Sequence, residues 1–412
     1  LSSGFAQAYA GLQFGYFSIL GDGRALMIGE HVTTDNKRFD IQLKGSGRTS
    51  YSRGGDGKAT LYSMLREYII SEAMNGLKIP TTRSLAVVKT NERIRRTSIE
   101  DGAVLTRIAQ SHIRVGTFAF VSSTGNKSLL KELADYTINR HYSYIKDSEN
   151  KYIEFFKEVV LNQAKLISNW QSVGFIHGVM NTDNMALSGE TIDYGPCAFM
   201  DVYKPNTVFS SIDRDGRYAY SNQPFIGSWN LSKLAESLLP LFSNEMKEAV
   251  ELANIELKKY EELFIALYYK KMLLKLGITN LKDDDKSLVD ELLLIMEKYK
   301  LDYTNTFREL SSLSISLKNE DLKNWYLKWE NRVKEESTLE ESIKIMKNHN
   351  PVIIPRNNMV EEALEKASKH NNMELFNELL NALSNPYDYT KTHKEDFLNP
   401  IINSQYMTYC GT

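Results

Sequence analysis

Cysteine is almost missing: two among 412 residues, too few for a secreted fold built on disulfides. A reducing, cytoplasmic compartment of the bacterial type is the default expectation, or a mitochondrial one if the source is eukaryotic. The seven histidines are scattered, with no zinc-ligand spacing. No apolar run reaches membrane-spanning length; the stretch at 234–242 is interrupted by Glu236 and Pro240. The opening Leu-Ser-Ser-Gly-Phe-Ala lacks a basic region followed by an apolar one, so no secretory signal is expected. The chain does not begin with Met, and a natural N-terminal segment is expected to be missing from it. A surplus of charge of one sign is lacking too: 50 basic against 52 acidic residues leave −2, which gives no bulk attraction to nucleic acid. There is no internal repeat and no low-complexity tract. A monomer that binds neither membrane nor nucleic acid is expected.

What is present is enough apolar material, 42% of the chain, to bury one large two-lobed unit or two to three ordinary domains. Most of the glycine and most of the strand signal fall in residues 1–120. Residues 24–29 and 38–43 read as paired strands across the polar turn 33–37. A helix is expected over 60–75, where Leu61, Leu65, Tyr68 and Ile69 form a stripe and Gly76 is a stop. Two more strands are expected at 84–89 and 102–109. From about 126 onward helices dominate, beginning with 152–170, whose stripe is Phe156, Val160, Ala164 and Ile167. A short strand pair is expected around 185–192. Helices follow at 231–239, 247–276, 287–299 and 361–383, with loops at 282–286 and 348–358. The fold class expected is α+β, with a strand-rich nucleotide-binding part (1–120), a helical part carrying the catalytic loop (121–300) and a helical C-terminal extension (301–412).

The most informative stretch is His177-Gly-Val-Met-Asn-Thr-Asp183-Asn184, followed by Asp193-Tyr-Gly195. It resembles the catalytic loop and metal-binding turn of a protein kinase, which implies a two-lobed kinase-like fold. Kinase loops place a base Asp two residues after the His and end in a metal-binding Asn. Asn184 stands at the right distance, but Val179 occupies the position of the base, and a carboxylate returns only at Asp183. Asn184 and Asp193 supply the hard oxygens that magnesium prefers, and manganese would accept the same set. A nucleotide-dependent transferase that need not be a phosphotransferase is the reading.

Other constellations fit a phosphate-rich ligand such as ATP as substrate. Gly21-Asp-Gly23-Arg24 precedes the first strand pair, and its glycines let backbone amides approach an anion; a simple tight turn is the plainer alternative. Lys44 ends the strand 38–43, and Glu67 lies on the next helix at the edge of its apolar stripe, where the two can form an ion pair; spacing alone leaves the contact open. Between them, residues 45–58 hold five glycines and three basic residues, either a cationic anion-binding loop or a surface linker. Arg107 and Arg114 fall where a kinase seats its adenine. They suit a triphosphate better than a purine, and ordinary surface ion pairs are the alternative. If they bind phosphate, the nucleotide lies reversed, with the α-phosphorus rather than the γ-phosphorus near the metal.

Taken together these segments closely resemble the selenoprotein O family of protein adenylyltransferases, long labelled pseudokinases. The matching runs are Gly21-Asp-Gly-Arg24-Ala, Gln42-Leu-Lys-Gly-Ser-Gly47 with Gly55-Asp-Gly57, His177 through Asp201, Ser221-Asn-Gln-Pro224 and Trp229-Asn-Leu231. They are dense over roughly 5–240 and thin beyond. The resemblance implies transfer of AMP from ATP to Ser, Thr or Tyr hydroxyls of proteins, with pyrophosphate released. It implies that Lys44 and Glu67 pair, that Arg107 and Arg114 contact the phosphates of an inverted ATP, and that Gly21, Gly23, Arg24, Asp56, Gly57 and Asp193 line the nucleotide. It further implies Asp183 as proton acceptor and Asn184 with Asp193 as the magnesium ligands. Leu12 departs from the family pattern, which often has a histidine there. Members often end in selenocysteine or cysteine, so Cys410 and Cys197 are candidates for a reversible disulfide, against a buried inert thiol and an unpaired tail thiol. The competing functions are a protein or small-molecule kinase and a nucleotide-binding scaffold without catalysis.

Overall fold

The computed structural model describes residues 4–13, 16–401 and 406–409. Strands β1 (Ala10–Gln13) and β2 (Tyr16–Ile19) pair antiparallel with each other. Strands β3 (Ala25–Val32), β4 (Arg38–Lys44), β5 (Ala59–Thr60), β6 (Arg83–Arg95) and β7 (Ile99–Ala109) form one antiparallel sheet, and helix α1 (Leu61–Gly76) is inserted between β5 and β6. The long β7 is the hub: β4 and β5 pair along one edge, and β6 pairs along the other. The loop 45–58 therefore leaves the β4 edge of β7 and returns to it as β5. The polar turn expected at 33–37 closes the β3–β4 hairpin, with Lys37 N donating to Thr33 Oγ1 at 3.0 Å and Asn36 in the left-handed region at φ 60.

Helix α1 starts at Thr60, whose hydroxyl accepts from Ser63 N at 3.2 Å, a cap worth about 1 kcal/mol. Its far end needs glycine for a tertiary reason. A Cβ on Gly76 would lie 2.2 Å from the carbonyl oxygen of Leu383, so the C-terminal part of the chain packs directly on the end of this helix.

The rest is helical: α2 (Val115–Ser123), α3 (Lys127–His141) and α4 (Lys151–Ser172), then the short pair β8 (Phe175–Ile176) and β9 (Ala198–Phe199), then α5 (Gln223–Phe242), α6 (Met246–Lys275), α7 (Asp285–Tyr299), α8 (Tyr303–Ser311), α9 (Glu320–Lys334), α10 (Leu339–His349), α11 (Asn357–His370), α12 (Glu374–Leu383) and α13 (Glu395–Leu398). The division into a strand-rich N-terminal part and a larger helical part is the α+β arrangement read from the sequence. All four stripe residues of α4 (Phe156, Val160, Ala164, Ile167) are buried.

Two expectations need correction. The strand pair around 185–192 is reduced to a single bridge between Met185 and Thr191. Backbone groups at 185–187 are taken by the 113–115 segment, through Val115 N to Met185 O and Leu187 N to Ile113 O, both at 2.9 Å. The helix expected over 361–383 is two helices, because Asn371 adopts the left-handed conformation (φ 51) that ends α11.

Two apolar cores hold the fold. One joins the sheet and α1 to α4, α5, α11 and α12 through residues such as Leu65, Leu105, Phe155, Leu234, Ala363 and Leu379. The other gathers α7–α10 and the end of α6 around Leu276, Leu292, Tyr303, Trp325 and Trp329. Helices beyond residue 301 are thus shared between the two, and α11–α12 belong with α1.

Candidate active site

A cavity of about 680 Å³ is lined from the sheet side by Gly21–Ala25, Lys44 and Arg107, and from the helical side by Val179, Asn181, Asp183, Asn184 and Asp193. At its back lies a buried cluster of two cations and two carboxylates. Lys44 Nζ is 2.6 Å from Glu67 Oε2 and also donates to Asp193 Oδ1. Arg107 Nε donates to Glu67 Oε1 at 2.8 Å, and its Nη2 donates to Asp193 Oδ1 at 2.6 Å. Burial opposes charge on Asp193, but Lys44 and Arg107 hold its carboxyl well below the usual range. Glu67 is lowered in the same way, burial opposing and Arg107 and Lys44 prevailing. Asp193 sits at φ 65, a left-handed conformation that costs a non-glycine residue roughly 1–2 kcal/mol. A strand lysine, a helix glutamate and a turn aspartate meeting in this way form a protein-kinase-like cleft.

Arg114 is the second notable group. It is 1% exposed and caps α2, with its guanidinium 4.3 Å from the ring centroid of Tyr9 and 3.8 Å from Asp22 Oδ1. Its Nε and Nη1 have no hydrogen-bond partner among the described residues. A buried donor left unpaired costs about 1–3 kcal/mol, more when charged, and both nitrogens belong to a side chain that lines the cavity. Asp22 is itself held by Gln42 Nε2 and Gln7 N, each at 3.1 Å.

The segment between Arg107 and Arg114 is where an upright purine would need free backbone groups. Several of those groups are already used within the chain. Gln110 N donates to Glu190 Oε2 at 3.0 Å, His112 N to Asp40 Oδ2 at 2.9 Å, Arg114 N to Thr117 Oγ1 at 3.1 Å and Val115 N to Met185 O at 2.9 Å. Gln110 O and Ile113 O accept from Arg140 and Leu187. None of residues 108–113 lines the cavity.

Asp183 and Asn184 lie in a single 3-10 turn, Thr182–Asn184. Thr182 fixes the turn to β1, donating to Ala10 O at 3.1 Å and accepting from Leu12 N at 3.0 Å. Asp183 Oδ1 is buried without a hydrogen-bond partner among the described residues, and burial pushes the carboxyl up to about 6. A carboxyl raised above its unfolded value opposes folding once ionised, so this contribution grows as pH rises toward and through 6. Asp183→Asn is therefore expected to raise stability at pH 7.5 by at most about 3 kcal/mol and not at pH 4; denaturant unfolding at the two pH values checks it. Asn184 donates Nδ2 to Val179 O at 3.0 Å, which engages its amino group and not its amide oxygen.

The family model "Protein adenylyltransferase SelO" matches residues 2–384. The chain belongs to the SelO family. It is 56% identical over 413 residues to "Protein nucleotidyltransferase YdiU" of Clostridium perfringens strain 13, covering 99% of this chain and 84% of that one. Its identity to the protein of the same name from Bacillus mycoides is 53% over 414 residues, covering 99% and 85%. A solved structure described as "ROP2 from Toxoplasma gondii: A virulence factor with a protein-kinase fold and no enzymatic activity" aligns over 81% of this chain and 87% of its own, at 10% identity and TM-score 0.31, too low to decide anything here.

In this SelO-family chain the 45–58 loop is pinched at its neck rather than open: Gly47 N donates to Gly57 O at 3.1 Å, and Ser46 bridges Lys58. A Cβ on Gly57 (φ 68) would meet Gly47 O at 2.0 Å, so only glycine fits there. The loop brings Tyr51, Ser52, Arg53, Asp56 and Gly57 to the cavity, as Gly21, Gly23 and Arg24 are brought by the turn before β3. The Asp56 carboxylate is committed to Arg96, with two contacts of 2.9 Å, and Arg96 lowers it to about 2. Tyr9 and Arg96 also line the cavity, and no local pattern marks them; Asp22 and Asn181 line it from within the Gly21–Arg24 and His177–Asn184 runs, where sequence pattern gives neither a role of its own. Cys197 is buried, which pushes its thiol up to about 12, while Cys410 lies outside the described residues. The tail runs beside it, with Thr408 Oγ1 donating to Pro196 O at 2.6 Å and Tyr409 lining the cavity. No helix of the described residues is long and apolar enough to cross a membrane.

Proposed function

We propose that this chain is a protein adenylyltransferase that moves AMP from ATP to Ser, Thr or Tyr hydroxyls of proteins, with ATP bound in the reverse of the kinase orientation. The observation that carries the reversal is the pairing of Arg114's two unpartnered, buried nitrogens with a connecting segment whose amides are already spent. An upright purine finds the amides of Gln110, His112 and Arg114 already taken, and a terminal phosphate finds a guanidinium. In this reading the terminal phosphates lie against Arg114, with Arg107 and Lys44 behind them, and the nucleoside lies toward Gly21, Gly23, Arg24, Asp56 and Gly57. The α-phosphorus then faces the turn carrying Asp183 and Asn184.

The acceptor hydroxyl oxygen forms the new bond to the α-phosphorus as the bond to the bridging oxygen of pyrophosphate breaks, and Asp183 takes the hydroxyl proton. Lys44 and Arg107, each paired with Glu67 and Asp193, offset the charge that builds on the departing pyrophosphate. Asn184 and Asp193 fit a magnesium ion, because they offer an amide oxygen and a carboxylate at one cleft wall. When bound, the ion supplies charge neutralisation of the phosphates. The relatives' bacterial sources support the cytoplasm as the compartment.

Incubation with a protein acceptor and ATP labelled on either the α- or the γ-phosphorus tests the function. Label from the α position alone is expected; label from γ would make the chain a kinase, and none from either would make it a scaffold. Because burial raises Asp183 to about 6, it can accept a proton only above that value. The transfer rate is expected to fall about tenfold per unit below pH 6, and a rate flat from pH 7 to 5 would remove Asp183 as base.

A further inference from the structure

Arg66, the residue before Glu67 on α1, is almost fully buried and gathers three remote parts of the chain. Its Nη2 donates to Cys197 O at 2.8 Å and its Nε to Gly195 O at 3.3 Å, both just past Asp193. Its Nη1 is 2.8 Å from Glu361 Oε1 on α11, and its Nη2 is 3.3 Å from the hydroxyl of Tyr406 in the tail. Glu361 also accepts from Tyr62, one turn earlier on α1, and from Tyr406 at 2.6 Å. Elsewhere on α1, Tyr68 packs against Phe376 of α12, 6.2 Å between ring centroids, and the helix ends at Gly76 under Leu383. Helix α1 is thus gripped by α11, α12 and the tail, and the Glu361 carboxylate is the ion-pair partner of the buried guanidinium that ties α1 to the Asp193 turn.

We propose that Glu361 is a positioning residue for the transfer reaction: through Arg66 it locks α1 and the Asp193 turn together, so that the C-terminal helices act as a built-in activator of the nucleotide site. A helix carrying the glutamate partner of a phosphate-binding lysine has two uses for its outer face, to be left loose or to be held. Here it is held by residues 295 or more positions away in sequence. Removing the carboxylate that faces a buried guanidinium leaves that charge uncompensated, and among the described residues Arg66 would then keep only backbone carbonyls and the Tyr406 hydroxyl. The Glu67–Lys44 contact and the Asp193 turn would lose their common anchor. The catalytic consequence rests on the adenylyl-transfer reading; the mechanical one does not.

The test uses the full chain and three variants, Glu361→Ala, Glu361→Gln and, as control, Glu362→Ala, whose exposed carboxylate pairs with Lys366 on the same helix. Transfer of α-label from ATP is measured as kcat and KM, and amide exchange is followed over 61–76 and 193–199 without nucleotide. Glu361→Ala is expected to lower kcat at least tenfold with KM for ATP within threefold, and to speed exchange in both segments at least tenfold. Glu361→Gln, which keeps the shape, is expected to recover part of both losses, and Glu362→Ala to match the parent. Unchanged exchange in α1 overturns the lock, and faster exchange with unchanged kcat overturns the positioning role. Faster exchange in the variant, with no α-label transfer by the parent, removes the adenylyl-transfer reading and leaves the lock standing. If Glu361→Ala does not fold, Glu361→Gln carries the test, with a threefold change in kcat and in exchange as its threshold and no change as its refutation.

Discussion

Asp183→Ala is expected to lower AMP transfer by about two to four powers of ten while ATP affinity stays within a few fold. The split follows from where Asp183 sits. Its Oδ1 is buried with no hydrogen-bond partner among the described residues, on the same turn as the proposed metal ligand Asn184, and it takes no part in the cluster of Lys44, Arg107, Glu67 and Asp193. Removing it takes away a proton acceptor and leaves every proposed phosphate contact in place. Rates and calorimetric ATP binding on one preparation check this. A fall in affinity as large as the fall in rate would make Asp183 a binding group instead.

Glu67→Ala is expected to be the most destabilising single change in the cleft, about 3–5 kcal/mol in denaturant unfolding. Glu67 is 3% exposed and accepts from both Lys44 and Arg107. Without it two buried cations share Asp193 alone. The same shortage of negative charge makes a second outcome specific. ATP with magnesium is expected to stabilise the variant by more degrees than the parent, since its phosphates replace part of the lost carboxylate. An equal nucleotide-induced shift in both proteins would mean that the phosphates do not approach Lys44 and Arg107.

Sequence pattern revealed the parts of this site that are encoded locally. The stripe of Leu61, Leu65 and Ile69 places α1, and with it Glu67; the strand run ending at Lys44 and the turn carrying Asp193 are likewise short-range. The break at Asn371 was legible in principle, since Lys369 and His370 ahead of an Asn make a common helix end, yet the apolar positions on either side conceal it. What pattern could not supply are pairings across long stretches of chain: Asp40 on the His112 amide, Glu190 on the Gln110 amide, β1 over the Asp183 turn, and Glu361 on Arg66. Each rests on one or two polar contacts between residues about 70 to 300 positions apart, with no periodicity to announce it. The first two occupy amides of the connecting segment, while Arg114 lines the cavity with two nitrogens unpartnered among the described residues, so the features on which the proposed reversal rests are tertiary in origin.

A crystal structure with magnesium and a non-hydrolysable ATP analogue tests the reversed nucleotide most directly. The account predicts the terminal phosphate within hydrogen-bond distance of Arg114 Nε or Nη1, and the α-phosphorus beside Asp183. A purine lodged against residues 108–113, with its triphosphate pointing out toward Gly21 and Gly23, would contradict it.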